Sequence, residues 1–148
     1  AGVVHRDVKP SNILLRLNDG VSQPILTDFG IAKLTDDASP SITRSTMMGT
    51  LEYVAPEQII TAREVDHRAD IYSLGVVAYQ MMTGATPFTG GPGKLVFAHL
   101  NKPAPDPRQF NPSISDEAAV AVLRAMNKLP DHRFASAGAF ALALAPDH

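Results

Sequence analysis

Between Asp66 and Thr83 the sequence commits to a helix that must lie inside a fold. Asp66 can accept from the unpaired N–H groups of a first turn, Gly84 stands where a left-handed residue ends a helix, and Pro87 blocks continuation. Within the span, Ile71, Tyr72, Leu74, Val76, Val77, Ala78, Tyr79, Met81 and Met82 cover nearly the whole circumference. A helix apolar on every side is stable only when other elements pack around it. Its apolar stretch, Ile71 to Met82, is broken by Ser73, Gly75 and Gln80 and falls short of the ~18 residues needed to span a bilayer, so it belongs to a protein core.

The rest of the chain supplies that packing. Ile13 to Leu17 is a short apolar run ending in Asn18-Asp19-Gly20, and a second run starts at Ile25 to Thr27, a pattern that predicts a β-hairpin. From Ile31 to Met48 the sequence is rich in Ser, Thr and Asp with little periodicity, the mark of a long functional loop. Lys94 to Leu100 predicts a short helix, and Lys102 to Pro112 a proline-rich connector. Ser115 to about Lys128 predicts another helix, with Ala119, Leu123 and Met126 on one face and Asp116 and Glu117 at the positive end of its dipole. Ser136 opens a last helix in which Phe140 and Leu144 align. The expected class is mainly α with a short β-hairpin, in one unit spanning residues 1–148.

A length of 148 residues suits one domain, and 45% apolar with 19% charged residues suits a folded one. A net charge of −2 gives no reason to expect nucleic acid as a partner. With no cysteine, disulfides, thiolate metal sites and cysteine nucleophiles are excluded.

The chemistry-bearing residues occur in a fixed order. His5-Arg6-Asp7-Val8-Lys9-Pro10-Ser11-Asn12 comes first, then Asp28-Phe29-Gly30 after the hairpin, then Gly49-Thr50, then Ala55-Pro56-Glu57. Singly, each has a plain reading: Asp-Phe-Gly as a turn, Asp7 with Lys9 as a solvated loop pair, Asn12 as a turn cap. Jointly, with a hairpin and a Ser/Thr-rich loop between them, they resemble the catalytic half of the eukaryotic-type protein kinase family. Asp70-Ile71-Tyr72-Ser73-Leu74-Gly75 resembles the central buried helix of that family, and Arg133 its late arginine. The resemblance covers essentially the whole chain. The details around Ala55-Pro56-Glu57-Gln58 resemble the bacterial branch of eukaryotic-like Ser/Thr kinases.

The resemblance implies a kinase C-terminal lobe, α+β in the intact domain, that transfers the γ-phosphate of ATP to Ser/Thr hydroxyls of protein substrates. Asp7 matches the residue that accepts the substrate hydroxyl proton, and Lys9 the one that balances charge on the transferring phosphate. Thr50 matches the hydroxyl bridging the two. Asn12 and Asp28 match the Mg²⁺ ligands, hard oxygen donors both. Leu14 matches the residue beneath adenine, though any apolar strand residue in a hairpin would look alike. His5 is read as structural, packed with Phe29 and Asp70. Glu57 and Arg133 are expected to form a buried ion pair. Arg6 before Asp7 resembles kinases switched on by loop phosphorylation, with Thr43, Ser45 and Thr46 as candidate sites. His67, His99, His132 and His148 have no metal-like spacing and are read as surface or cap residues.

No Gly-x-Gly-x-x-Gly occurs in the chain, so the N-terminal lobe that holds most of the ATP is expected to lie upstream and to be a necessary partner. Without it the fragment is expected to be inactive. Without the helix that precedes the catalytic loop in the family, the central helix is expected to expose apolar area around Leu74 and Val77. The expected location is cytoplasmic, or the cytoplasmic side of a membrane through a downstream helix. The alternative is a non-catalytic half-kinase used as a regulatory or binding module, which would have no need of Asp7, Lys9, Asn12 and Asp28 together.

Overall fold

The computed structural model describes residues 4–28, 50–61 and 65–145. Among these the fold is five α-helices and one two-stranded antiparallel sheet, with three short 3₁₀ turns. β1 (Ile13–Asn18) and β2 (Val21–Leu26) pair with Leu14 opposite Ile25 and Leu15 opposite Pro24. Asp19 and Gly20 close the hairpin at φ 48° and 81°, the twist that suits a two-residue turn. β2 starts four residues before the Ile25 run read from sequence. Pro24 hid its first half, because proline lacks the N–H a strand uses, yet in a two-stranded sheet that side needs no partner.

The helices are α1 (Pro56–Ile60), α2 (His67–Thr83), α3 (Pro92–Asn101), α4 (Asp116–Ala125) and α5 (Ala137–Leu144). α2 and α5 begin where the sequence puts them, whereas α3 starts two residues before Lys94, α4 stops at Ala125 short of Lys128, and α1 was not read from sequence. Asp66 accepts from Arg68 N–H, Ser115 from Ala118 N–H and Ser136 from Ala139 N–H, and Gly84 ends α2 at φ 82°. α2 is the central helix: Ala69, Ile71, Tyr72, Val76 and Tyr79 on it are all but inaccessible. α4 crosses it at Gly75, where a Cβ would lie 2.9 Å from Ala125 Cβ and 3.0 Å from Met126 Cγ, so only glycine admits that approach. Val122, Ala125, Phe134 and Phe140 complete this core. The expected apolar opening of α2 is smaller than read from sequence: Leu74 is half-buried, but Val77 is only 7% exposed. Exposed apolar side chains include Met81 near the end of α2 and, on the hairpin, Leu14, Leu15, Leu17 and Val21. Among the described residues no helix is long and apolar enough to cross a membrane.

Beneath α2 the Glu57 carboxylate on α1 meets the Arg133 guanidinium in a bidentate pair, 2.6 and 2.8 Å. The Arg133 side chain is fully inaccessible, and its remaining N–H groups donate to the carbonyls of Asn127, Arg68 and Lys128. Every donor is thus used, the condition under which a buried cation is tolerated. This is the expected ion pair.

His99 departs from the surface role read from sequence. It is fully buried on α3 between Tyr72 and Phe88, both edge-on to its ring. The Tyr72 hydroxyl lies 2.8 Å from His99 Nδ1, and Lys128 Nζ donates to that hydroxyl at 3.4 Å and to the Ala98 carbonyl at 3.2 Å. Burial, and then the Lys128 charge, pushes the His99 imidazole down to about 4. Burial, and then the Arg133 charge, pushes Lys128 down to about 8. A neutral His99 accepts at Nδ1, so the hydrogen bonds run from Lys128 through Tyr72 to His99. The spacing of Leu95, Ala98 and His99 on one helical face was the available signal, since all three are buried.

Candidate active site

Residues 4–12 form an irregular loop whose shape comes from the central helix. Asp70, in the first turn of α2, accepts the His5 N–H on Oδ2 and the Arg6 N–H on Oδ1, each at 2.8 Å. Arg6 sits at φ 65°, a left-handed conformation that a non-glycine residue keeps only when its surroundings impose it. His5 is buried; its Nε2 faces the Thr27 carbonyl at 2.9 Å and its Nδ1 accepts from Asp7 N–H at 3.3 Å. The histidine therefore joins this loop to the end of β2 and is structural, as read from sequence. Phe29, its other expected neighbour, lies outside the described residues.

Four of the six candidate site residues converge. Lys9 Nζ lies 3.1 Å from Asp7 Oδ2 and donates to Thr50 Oγ1 at 2.9 Å. Thr50 in turn donates to Asp7 Oδ1 at 3.4 Å. The Asn12 amide nitrogen donates to the Asp7 carbonyl at 2.8 Å and to Oδ2 at 3.2 Å. Asn12 is buried, and the side chains of Lys9 and Asp7 are 14% and 16% exposed, so these charges meet where water screens them little. A 3₁₀ turn, Pro10–Asn12, carries Asn12 back beneath Asp7. Proline at its first position suits that turn, having no N–H to leave unpaired.

The other two candidates are apart. Leu14 is on the hairpin and 56% exposed. Asp28 is exposed just beyond β2, at φ 57°. Its predecessor Thr27 donates both its N–H and its hydroxyl to the Asn12 carbonyl, at 2.8 and 3.2 Å, which brings the Asp28 backbone beside Asn12. The proposed phosphorylation sites Thr43, Ser45 and Thr46 lie outside the described residues.

Gln58 was not singled out in the sequence. Its Oε1 accepts from Ala55 N–H at 3.1 Å, and its Nε2 donates to the Arg6 carbonyl at 2.9 Å.

Residues 1–141 match the family description of the protein kinase domain. The chain is 46% identical over 145 residues to the serine/threonine-protein kinase Pkn1 of Myxococcus xanthus, covering 97% of this chain and 21% of that protein. It is 41% identical over 148 residues to PknJ of Mycobacterium tuberculosis, covering 97% and 25%. It is 44% identical over 144 residues to PknH of the same organism, covering 96% and 22%. The chain therefore spans only about a quarter of the length of these relatives.

Proposed function

The chain belongs to the protein kinase domain family, and on that footing we propose that it is the C-terminal lobe of a Ser/Thr protein kinase, carrying the phosphoryl-transfer residues beneath an N-terminal lobe that holds ATP. The observation that carries this reading is the closed set of contacts Lys9–Asp7–Thr50 with Asn12 behind. A carboxylate so held is preoriented toward one acceptor task, and its cationic neighbour suits an anionic transferring group.

In this reading Asp7 takes the proton of a Ser or Thr hydroxyl as that oxygen bonds to phosphorus. Lys9 and Asn12 hold Oδ2 and Thr50 donates to Oδ1, so the carboxylate is oriented through both of its oxygens. Lys9 is within reach of charge developing next to Asp7, and Thr50 keeps the lysine and the carboxylate in register. The Asn12 amide nitrogen is committed to Asp7, leaving its carbonyl oxygen as the end suited to a hard cation. Together with the exposed Asp28 carboxylate it would hold Mg²⁺, with phosphate and water completing the shell. The bound metal supplies neutralisation of phosphate charge. Leu14, exposed on one face of the hairpin, is the apolar side chain on which adenine would rest.

The test is transfer of γ-phosphate from ATP to a protein substrate by this chain joined to its N-terminal lobe. The expected product is phosphoserine or phosphothreonine, and none is expected from residues 1–148 alone.

A further inference from the structure

We propose that Gln58 is a positioning residue for phosphoryl transfer, its carboxamide fixing the peptide plane between Arg6 and Asp7. This rests on the catalytic reading of Asp7 above.

Gln58 sits in α1, and its two hydrogen bonds go to backbone groups of opposite polarity. Oε1 takes the Ala55 N–H and Nε2 gives to the Arg6 carbonyl. A donor and an acceptor on one flat group are both required, and among side chains of this length only an amide supplies them. The glutamine orientation is therefore fixed by its partners.

What Nε2 holds is not an ordinary loop carbonyl. Arg6 is at φ 65°, and its N–H is already fixed by Asp70. The Gln58 bond fixes its other end. The plane that carries the Arg6 carbonyl also carries the Asp7 N–H, which lies against His5 Nδ1. Rotation of that plane would swing the Asp7 carboxylate away from Thr50 and Lys9, now 3.4 and 3.1 Å from it. Arg6, Asp7, Thr50 and Gln58 line one small cleft, so the lever is short. Its base is firm, because the residue before Gln58 is Glu57, held by the buried Arg133.

The test uses the two-lobed kinase, with the single-turnover rate of phosphoryl transfer, KM for ATP and Tm measured for Gln58→Met and Gln58→Glu. Methionine fills the same space without either hydrogen bond; its rate is expected to fall at least about 10-fold with KM little changed, and the two backbone groups left unpaired lower Tm only modestly. Glutamate can replace the Nε2 donor only when protonated. Its rate relative to the unaltered enzyme should therefore be several-fold higher near about pH 5.5 than near about pH 8, as a carboxyl facing a carbonyl gains its proton. A Gln58→Met enzyme as fast as the unaltered one overturns the inference. So does a rate loss that only follows a fall in Tm, with the Gln58→Glu ratio flat in pH, since that is a structural role. Asp7→Asn is measured alongside: if it is inactive while Gln58→Met is unimpaired, the inference alone fails, and if Asp7→Asn is active the catalytic reading itself fails.

Discussion

Asp70 and Arg6, 64 positions apart, are joined by a 2.8 Å hydrogen bond from the Arg6 N–H to Oδ1, while the other carboxylate oxygen takes the His5 N–H. The central helix thus shapes the loop that carries Asp7. Asp70→Asn keeps the size but turns one acceptor into a donor facing an N–H. Leaving a buried amide unpaired costs about 1–3 kcal/mol. The two-lobed kinase is expected to lose at least about 10-fold in phosphoryl-transfer rate, the equivalent of about 1.4 kcal/mol. Steady-state and single-turnover assays check it.

Glu57→Ala strips the carboxylate from a guanidinium with no access to water. Breaking one side of a buried pair typically costs about 3–5 kcal/mol. The lower end is expected here, about 3 kcal/mol, because Arg133 keeps its bonds to three carbonyls. Urea unfolding of the kinase with and without the substitution measures it.

His99 gives stability a pH dependence. Its folded-state value is depressed to about 4 by burial and the Lys128 charge. Above about pH 6.5 neither state binds the proton, so the contribution is fully present. As pH falls toward about 4 the unfolded chain takes up a proton that the folded one refuses, and stability drops by up to about 3 kcal/mol. His99→Gln, which can still accept from Tyr72, should flatten this part of the profile. Unfolding free energies of both proteins at mildly acid and neutral pH decide the point.

Asp28 is exposed and makes no hydrogen bond to Asn12 among the described residues, so its value to packing is small. Its left-handed backbone is one that asparagine tolerates better than alanine, which makes Asp28→Asn the cleaner substitution. Mg²⁺-dependent nucleotide binding is expected to weaken by at least about 10-fold with Tm nearly unchanged, read by calorimetry and thermal melting. A steep fall in Tm would instead make Asp28 a structural residue.

Much of this architecture was legible in the sequence because local chemistry and tertiary role coincide. Asp66, Ser115 and Ser136 cap the helices they precede, and Gly84 ends α2, since caps depend only on nearby backbone. Asp7, Lys9, Asn12 and Thr50 were legible as a set through family resemblance, and they do meet. His99 and Lys128 were misread or passed over because polarity suggests water, whereas the Tyr72 hydroxyl and the Ala98 carbonyl give them partners inside. Gln58 was passed over because its role depends on a carbonyl 52 positions away, which no local pattern encodes. The short helix α1 escaped notice for a related reason: its 5 residues are too few for periodicity to show.

The most direct measurement is the single-turnover rate of γ-phosphate transfer to a Ser/Thr protein substrate by the two-lobed kinase, with and without Asp7→Asn. Asparagine preserves the shape and an oxygen for Thr50, but it loses the ion pair with Lys9 and cannot take the hydroxyl proton. General-base catalysis of this kind contributes about 10²–10⁴-fold, and a loss in that range is expected with ATP affinity retained and Tm only modestly lowered. An Asp7→Asn enzyme that transfers phosphate within a few-fold of the unaltered rate would contradict the assignment of this site.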